Sequence, residues 1–176
     1  MKIESVIWLR DIVDKLAWKH QVDPDEVEEV LNNRPKIRFV EKGERADEDV
    51  YMALGQTDAG RYLALLFIYK KTKDALILSA RDMANKESNM AKSKAKTLPE
   101  LKSTSAAVDF FETHDLGDYW EQMPEADFEI KLKRRKHLIA LEEEVVTQVT
   151  QIAKAKKISS EFLINTWLKE KLQKAS

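Results

Sequence analysis

The chain of 176 residues contains no cysteine, so disulfide bonds and thiolate metal sites are excluded. It also lacks an apolar run of the roughly 20 residues that a membrane-spanning helix needs, and its first residues lack the apolar core of a signal peptide. We therefore expect a cytoplasmic protein with no membrane partner. The net charge is only −1, so any affinity for nucleic acid has to come from a local basic patch.

The motifs of several enzyme classes are missing as well. The sequence has no glycine-rich phosphate loop, no nucleophile elbow and no metal-ligand spacing, and its three histidines are far apart. We therefore predict no cofactor and no metal. The chain does have 35% charged and 43% apolar residues, which is enough for the core of one domain or of two small ones.

A polar stretch rich in lysine and serine divides the chain. Residues 84–105 hold almost no large apolar side chains, which is the composition of a linker. We place the linker at residues 88–107. This gives an N-terminal domain at residues 1–87 and a C-terminal domain at residues 108–176.

The N-terminal domain is predicted to begin with two helices. Apolar residues at helical spacing line the first, namely Trp8, Ile12, Val13 and Leu16. The second has a clear start signal, with Asp23 as the N-cap, Pro24 in the first turn and Glu26 in the position of a capping box. It should end before Pro35.

Strands are predicted after the helices. Alternating or continuous apolar runs separated by turn residues place them at residues 36–41, 50–54, 62–69 and 75–80. Two helices on a mainly antiparallel sheet give an α+β fold.

Four short motifs follow one another along this domain. They are Lys19-His20 at the end of the first helix, Val22–Val30 in the second, Gly55–Arg61 in a hairpin, and Leu78–Arg81 in the last strand. In order and spacing they resemble the BrnT-type toxins, ribonucleases with a RelE-like fold. The resemblance covers about residues 1–87.

The resemblance implies a metal-independent endoribonuclease with an RNA substrate. Such an enzyme must move a proton from the ribose 2′-hydroxyl and stabilise a pentacoordinate phosphate. His20 is the candidate acid or base, and Arg81 and Arg61 are candidate phosphate clamps. Lys19 would be an auxiliary cation, and Glu28 or the glutamate after it would orient one of these groups.

An alternative remains open. A histidine at a helix C-terminus can simply cap the helix dipole, and arginines at strand ends are ordinarily solvated. BrnT-type toxins also continue into a longer basic tail after the Ser-Ala-Arg motif, whereas here the residues after Arg81 start in that manner, up to Lys86 and Glu87, and then run into Ser88-Asn89-Met90. The alternative is therefore a transcriptional repressor whose nuclease fold is catalytically dead.

The C-terminal domain contains one basic strand and two amphipathic helices. The strand is predicted at residues 134–141, the first helix at about 142–157, and the second after an N-cap at Ser159 or Ser160. The unit at about 134–172 resembles the ribbon-helix-helix repressors of the CopG type. It is too small to fold alone, so we expect a homodimer whose paired strands enter the major groove of operator DNA.

The strand and the second helix supply the candidate DNA contacts. If Ile139 and Leu141 face the core, Lys136 and Leu138 face the groove. The cations beside them and the start of the second helix would bind phosphates. The full set is Lys133, Arg134, Arg135, Lys136, Leu138, Ser159 and Ser160.

Four aromatic residues crowd a short acidic stretch at residues 109–122. They are Phe110, Phe111, Tyr119 and Trp120. The stretch contains the string His-Asp-x-x-Asp-Tyr-Trp and resembles the CopG-type antitoxins (BrnA) that accompany BrnT-type toxins. The resemblance implies that these side chains pack on the toxin and mask its site, the alternative being a helix that folds back on its own dimer. The chain is thus expected to be a fused type II toxin–antitoxin protein with an autorepressor half.

Overall fold

A computed structural model describes residues 1–89 and 96–175. The chain divides into two compact units, residues 1–138 and residues 139–176. The architecture is α+β, as the sequence predicts. Part of the expected linker, residues 90–95, lies outside the described residues, and helix α3 (Asn85–Asn89) precedes it.

A six-stranded sheet forms the centre of the first unit. Its strands are β1 (Lys2–Leu9), β2 (Lys36–Glu41), β3 (Glu48–Gln56), β4 (Tyr62–Lys70), β5 (Asp74–Asp82) and β6 (Glu129–Leu138), in the order β2-β3-β4-β5-β1-β6. Strands β2 to β5 pair antiparallel, whereas β1 lies parallel between β5 and β6. All four strands predicted in the N-terminal domain are confirmed, but the sheet is mixed rather than antiparallel.

Strand β1 corrects the prediction of a helix that includes Trp8. Residues 2–9 are extended, and Trp8 is fully buried in the sheet. A parallel strand that is covered on both faces shows a continuous apolar run instead of an alternating one. The apolar pattern therefore does not distinguish such a strand from a helix. The β-branched Ile3, Val6 and Ile7 nevertheless favour a strand.

The two predicted N-terminal helices are present. Helix α1 (Arg10–Lys15) continues as a π-helical turn at Leu16–His20, and α2 is Pro24–Asn32. The capping box is confirmed, because the Asp23 carboxylate accepts from the Asp25 N–H at 2.8 Å and the Glu26 carboxylate accepts from the Asp23 N–H at 3.0 Å.

Apolar cores lie on both faces of the sheet. The first contains Leu16 and Val27 from the N-terminal helices. The second contains Met52 and Leu66 of the sheet, together with apolar residues from the segment 104–123, which we call the covering segment. This segment consists of helix α4 (Thr104–Thr113) and two 3₁₀ turns at Leu116–Asp118 and Trp120–Gln122.

The bounds of the basic strand differ from the prediction at both ends. The strand predicted at residues 134–141 is found at residues 129–138, and residues 139–142 have no regular secondary structure. Apolar residues at alternate positions extend it backwards, and Ile130 and Leu132 pack against the first core. In this chain β6 pairs with β1, with Ser5 opposite Arg134.

The second unit contains two helices, as predicted. Helix α5 is Glu143–Lys156 and α6 is Ser160–Ala175. The Ser159 Oγ accepts from the Phe162 N–H at 3.1 Å, so Ser159 caps α6. The buried core consists of three side chains, Val149, Ala153 and Leu163. Among all the helices of residues 1–89 and 96–175, none has the length and apolar character needed to cross a membrane.

Candidate active site

A bulge in β5 sets the direction of two polar side chains. Leu66 of β4 pairs with Ser79 and Phe67 pairs with Ile77, so Leu78 has no partner in the ladder. The extra residue turns Ser79 and Arg81 to the face that the covering segment occupies. Bulges commonly re-aim side chains beside functional sites.

Arg61 fixes the backbone that carries His20. The helix ends where Gln21 adopts a left-handed conformation, with φ 53°. The Arg61 guanidinium donates to the carbonyl oxygens of His20 at 3.1 Å and of Gln21 at 2.8 Å. It also forms a bidentate pair with Asp82, at 2.7 and 3.0 Å, and bonds to Glu26. Its donors are therefore engaged by the protein, which suits a residue that positions His20.

One carboxylate joins the cations near His20. Glu112 of the covering segment contacts the Nζ atoms of Lys15 and Lys19, and its Oε1 accepts from the Ser79 hydroxyl at 2.8 Å. The His20 Nε2 lies 3.7 Å from the same Oε1. The Glu112 side chain is only 8% exposed. Groups from α1, the π-helical turn and β5 thus converge on one anion.

The pKa values of this cluster follow from burial and from the lysines. Burial raises the pKa of Glu112, but hydrogen bonds from Lys15, Lys19 and Ser79 outweigh it and lower the pKa to about 2. Burial lowers the pKa of His20, against the opposing charge of Glu112. The imidazole is therefore neutral at pH 7. Its Nε2 is buried and has no hydrogen-bond partner among the described residues.

Arg81 is enclosed on several sides. Its Nε donates to the Phe111 carbonyl at 2.9 Å and its Nη2 to the His114 carbonyl at 3.0 Å. Two parallel bonds of 2.8 Å join it to Glu87, a buried carboxylate that also accepts from the Leu116 N–H. The Phe111 ring lies 4.4 Å from the guanidinium carbon. A phosphate could reach Arg81 only if these groups moved.

The acidic motif of the covering segment contacts helix α3. Asp115 accepts from the Lys86 N–H at 2.9 Å, and Asp118 binds the Lys86 ammonium at 2.7 Å. Gly117 packs so closely that a Cβ there would lie 2.6 Å from the Lys86 carbonyl carbon. The two carboxylates and the glycine of the motif therefore fasten the segment to the end of the N-terminal domain.

The four aromatic residues of the segment have different surroundings. Phe111 and Trp120 are buried in the second core. Phe110 and Tyr119 are half-buried, with ring centroids 5.5 Å apart, and Phe110 stacks on His114 at 4.0 Å. Burying a large apolar side chain contributes roughly 1.5–3 kcal/mol, so Phe111 and Trp120, together with the buried Leu116 and Met123, stabilise the packing of the segment on the sheet.

Two of the predicted DNA contacts on β6, Arg135 and Lys136, have ion-pair partners in the N-terminal domain. Arg135 donates to Glu28 at 2.6 Å and also contacts Asp25, and Lys136 lies 3.2 Å from Asp74. These bonds raise the pKa of the Arg135 guanidinium further. The other predicted contacts are Lys133, Arg134 and Leu138, which are exposed on β6, and Ser159 and Ser160, which lie at the start of α6.

The structure brings together most of the predicted catalytic residues and adds others. Lys19, His20 and Arg81 line one region through their shared contacts with the covering segment. Glu28 instead accepts from Trp8 and Arg135, and it is Glu26 that binds Arg61. Sequence reasoning missed Lys15, Ser79, Glu87 and Glu112. Lys15, Glu87 and Glu112 lie outside the four motifs, and Ser79 lies within Leu78–Arg81 without any sign of a functional role, because these groups meet only in three dimensions.

Comparison with known families gives two matches, one in each half of the chain. Residues 13–87 match the family described as the ribonuclease toxin BrnT of type II toxin–antitoxin systems. Residues 96–171 match the family described as the CopG antitoxin of type II toxin–antitoxin systems. No curated protein and no solved structure gave a significant match. The two resemblances inferred from the motifs are thereby confirmed, and Glu112 belongs to a different family segment from the cations that it binds.

Proposed function

The chain joins a BrnT-type ribonuclease-toxin domain to a CopG-type antitoxin domain, and we propose that the antitoxin half closes the ribonuclease site of the toxin half. The toxin half is a metal-independent endoribonuclease. In the intact chain it is inhibited by the covering segment, in cis or through a second copy.

The chemistry of the uncovered site follows from its residues. Neutral His20 takes the proton from a ribose 2′-hydroxyl as the 2′-oxygen attacks the adjacent phosphorus. The bond from phosphorus to the 5′-oxygen breaks, and the leaving oxygen takes up a proton from water, which gives a 2′,3′-cyclic phosphate and a 5′-hydroxyl. Arg81 and Lys19 stabilise the charge on the pentacoordinate phosphate. Arg61 keeps His20 in place.

The main observation that supports the proposed inhibition is the position of Glu112. Its buried carboxylate contacts Lys15 and Lys19 and lies against His20. A phosphate cannot bind these cations while the carboxylate does. The carbonyl groups of Phe111 and His114 similarly use donors of Arg81.

Fusion strengthens the closure. Two partners joined within one chain by a short linker meet at effective concentrations on the order of millimolar, and the ratio of toxin to antitoxin is fixed at one to one. Inhibition in the intact chain is therefore favoured without any additional contact.

An activity assay on full-length variants tests this function. The double variant Phe111→Asp, Glu112→Lys places a charge in the second core and a like charge against the lysines, so it should cleave RNA and slow growth when induced. The parent chain should do neither. Glu121→Lys changes an exposed residue of the same segment and is the matched control. Adding His20→Ala to the double variant should abolish the cleavage.

Failure has a definite meaning. If the double variant folds but cleaves no RNA, and residues 1–89 expressed alone neither cleave RNA nor slow growth, the enzyme assignment is wrong. The alternative, a repressor with a dead nuclease fold, would then stand. One observation favours that alternative. Glu87 binds the Arg81 guanidinium, and it lies in the part of the chain where BrnT-type toxins have a basic tail.

A second function concerns DNA. We propose that the C-terminal half binds operator DNA as a homodimer and represses its own gene. Two observations support the dimer. The second unit buries only a three-residue core while Val146, Phe162 and Leu168 stay exposed. Strand β6 is also the last strand in the sheet order, so in the described part of the chain its outer edge carries no strand.

Two measurements test the DNA proposal. Sedimentation should show a dimer, and Phe162→Asp should dissociate it. Arg134→Ala, at an exposed position of β6, should weaken binding to all DNA and reduce the salt dependence of the binding constant by about one charge. An unchanged salt dependence would exclude the strand as a phosphate contact.

A further inference from the structure

We propose that the Glu112 carboxylate occupies the binding position for an RNA phosphate, and that Lys15 and Ser79 are two further ligands of that phosphate. The inference rests on the proposed ribonuclease function. It assigns a role to Lys15, which lies outside the four motifs of the N-terminal domain, and to Ser79, which lies within the Leu78–Arg81 motif but had no predicted role.

The carboxylate is held in the manner that suits a phosphodiester. Its Oε1 is bound by Lys15 and by the Ser79 hydroxyl, and its Oε2 is bound by Lys19. A phosphodiester likewise carries a single negative charge spread over two non-bridging oxygens. Charge-assisted donors that bind the two oxygens separately are suited to either group.

Few other interactions explain the position of Ser79. It is fully buried in β5, between Leu78 and Ala80. The β5 bulge turns it towards the covering segment, and the hydrogen bond recorded for its hydroxyl goes to Glu112. A buried hydroxyl without a hydrogen-bond acceptor is destabilising. A serine at this position is therefore favoured when an anion from outside the N-terminal domain accepts its hydrogen bond.

Lys15 and Lys19 form a pair that favours the binding of an anion. They are four residues apart on α1 and its π-helical continuation, and both reach the Glu112 carboxylate. Two like charges at this spacing destabilise a helix unless a counter-charge lies between them. When the covering segment is displaced, the phosphate of a substrate supplies that charge.

The position of His20 fits the same assignment. Its Nε2 is 3.7 Å from the Oε1 that Lys15 and Ser79 bind, and it has no hydrogen-bond partner in the described part of the chain. In RNA the reacting 2′-hydroxyl lies next to the phosphate. A phosphate in the place of the carboxylate would therefore present this hydroxyl to the unpaired nitrogen.

The test uses the full chain with Glu112→Ala, which removes the carboxylate and leaves its ligands. The probe is a trinucleotide methylated at every 2′-oxygen, which binds but cannot be cleaved, and binding is measured by calorimetry. The parent chain should bind it at least tenfold more weakly than the Glu112→Ala chain. In the Glu112→Ala chain, adding Ser79→Ala or Lys15→Ala should each weaken binding about tenfold, as expected for loss of a hydrogen bond to a charged group.

A control and a second readout keep the result specific. Lys71→Ala removes a lysine that is 75% exposed in the same domain and should leave binding unchanged. Binding of the probe should also raise the pKa of His20, followed by NMR, because an anion then lies beside the imidazole. Ser79→Ala and Lys15→Ala should reduce this rise, whereas a purely structural role for either residue would not alter it.

The outcomes separate this inference from the proposed function. If Glu112→Ala does not improve binding, or if Ser79→Ala and Lys15→Ala leave it unchanged in a folded chain, the phosphate assignment is wrong even if the uncovered domain cleaves RNA. If the probe binds through Lys15 and Ser79 but the chain of the Phe111→Asp, Glu112→Lys variant has no activity, the phosphate position stands and the enzyme assignment fails. Glu112→Gln, which keeps the shape and removes the charge, serves if the alanine variant does not fold.

Discussion

The antitoxin-family half touches the toxin-family half in two regions of the first unit that differ in burial. In the covering segment, Glu112 is 8% exposed and bound by three donors. On β6, Arg135 is 35% exposed and its partner Asp25 is 71% exposed. Buried charge pairs are costly to break on one side, whereas exposed pairs contribute little and exchange with other ions. The covering segment is therefore the durable contact and the β6 cations are the exchangeable one.

The largest loss of folding stability should come from a substitution in the apolar part of the covering segment, the durable contact. Phe111→Ala removes a fully buried ring from the second core and should lower the free energy of unfolding by about 3–5 kcal/mol, measured by urea denaturation. Phe110→Ala, at a half-buried ring in the same helix, should cost clearly less. Equal losses at the two positions would show that the segment does not pack as described.

The charged part of the durable contact predicts an acid sensitivity. The pKa of Glu112 is lowered from 4.5 to about 2, so its stabilisation is present above pH 4.5 and is lost as the pH falls towards 2. The shift corresponds to roughly 3 kcal/mol. Unfolding titrations at pH 5 and pH 2.5 should show a smaller loss of stability for Glu112→Gln than for the parent chain. The same loss in both chains would contradict the contacts of this carboxylate.

An intermediate effect is expected at Arg61, which is 28% exposed. Arg61→Lys cannot reproduce the planar fork that binds Asp82 and the carbonyls of His20 and Gln21. It should lower stability by roughly 1–3 kcal/mol and change the NMR signals of the His20 ring. Arg45→Lys, at an exposed position, is the control. An unchanged His20 spectrum would remove the positioning role.

A substitution among the β6 cations, the exchangeable contact, should give the smallest loss of folding stability. Arg135→Ala breaks the pairs with Asp25 and Glu28 and should lower stability by only about 0.2–1 kcal/mol. The difference from the parent chain should shrink further as salt is added, because exposed ion pairs are screened. A large effect that does not depend on salt would show that β6 is as durable a contact as the covering segment.

How far the sequence predicts this molecule depends on the range of each interaction. The Asp23-Pro24-Glu26 cap was predicted residue by residue because all its bonds lie within one turn. Strand β1 was missed because a buried parallel strand lacks the alternation that marks a half-exposed one. The basic strand was misplaced because its apolar alternation begins before its cations do.

The candidate site was predictable only in part, for the same reason. His20, Lys19 and Arg81 stand in recognisable motifs. Glu112 is separated from Lys15 by nearly a hundred residues of chain, and no spacing indicates that they meet. The bulge at Leu78 determines which way Ser79 points, and one extra residue in a strand has no reliable signature in a single sequence.

The second core also fixes the order in which this protein can finish folding. One face of the sheet, with Val50, Met52 and Leu66, is completed by Phe111 and Trp120. A ribosome makes about 5–20 residues each second. Several seconds therefore pass between the synthesis of β5 and the synthesis of the segment that packs on this face. This face of the sheet thus becomes fully packed only when the covering segment has been translated.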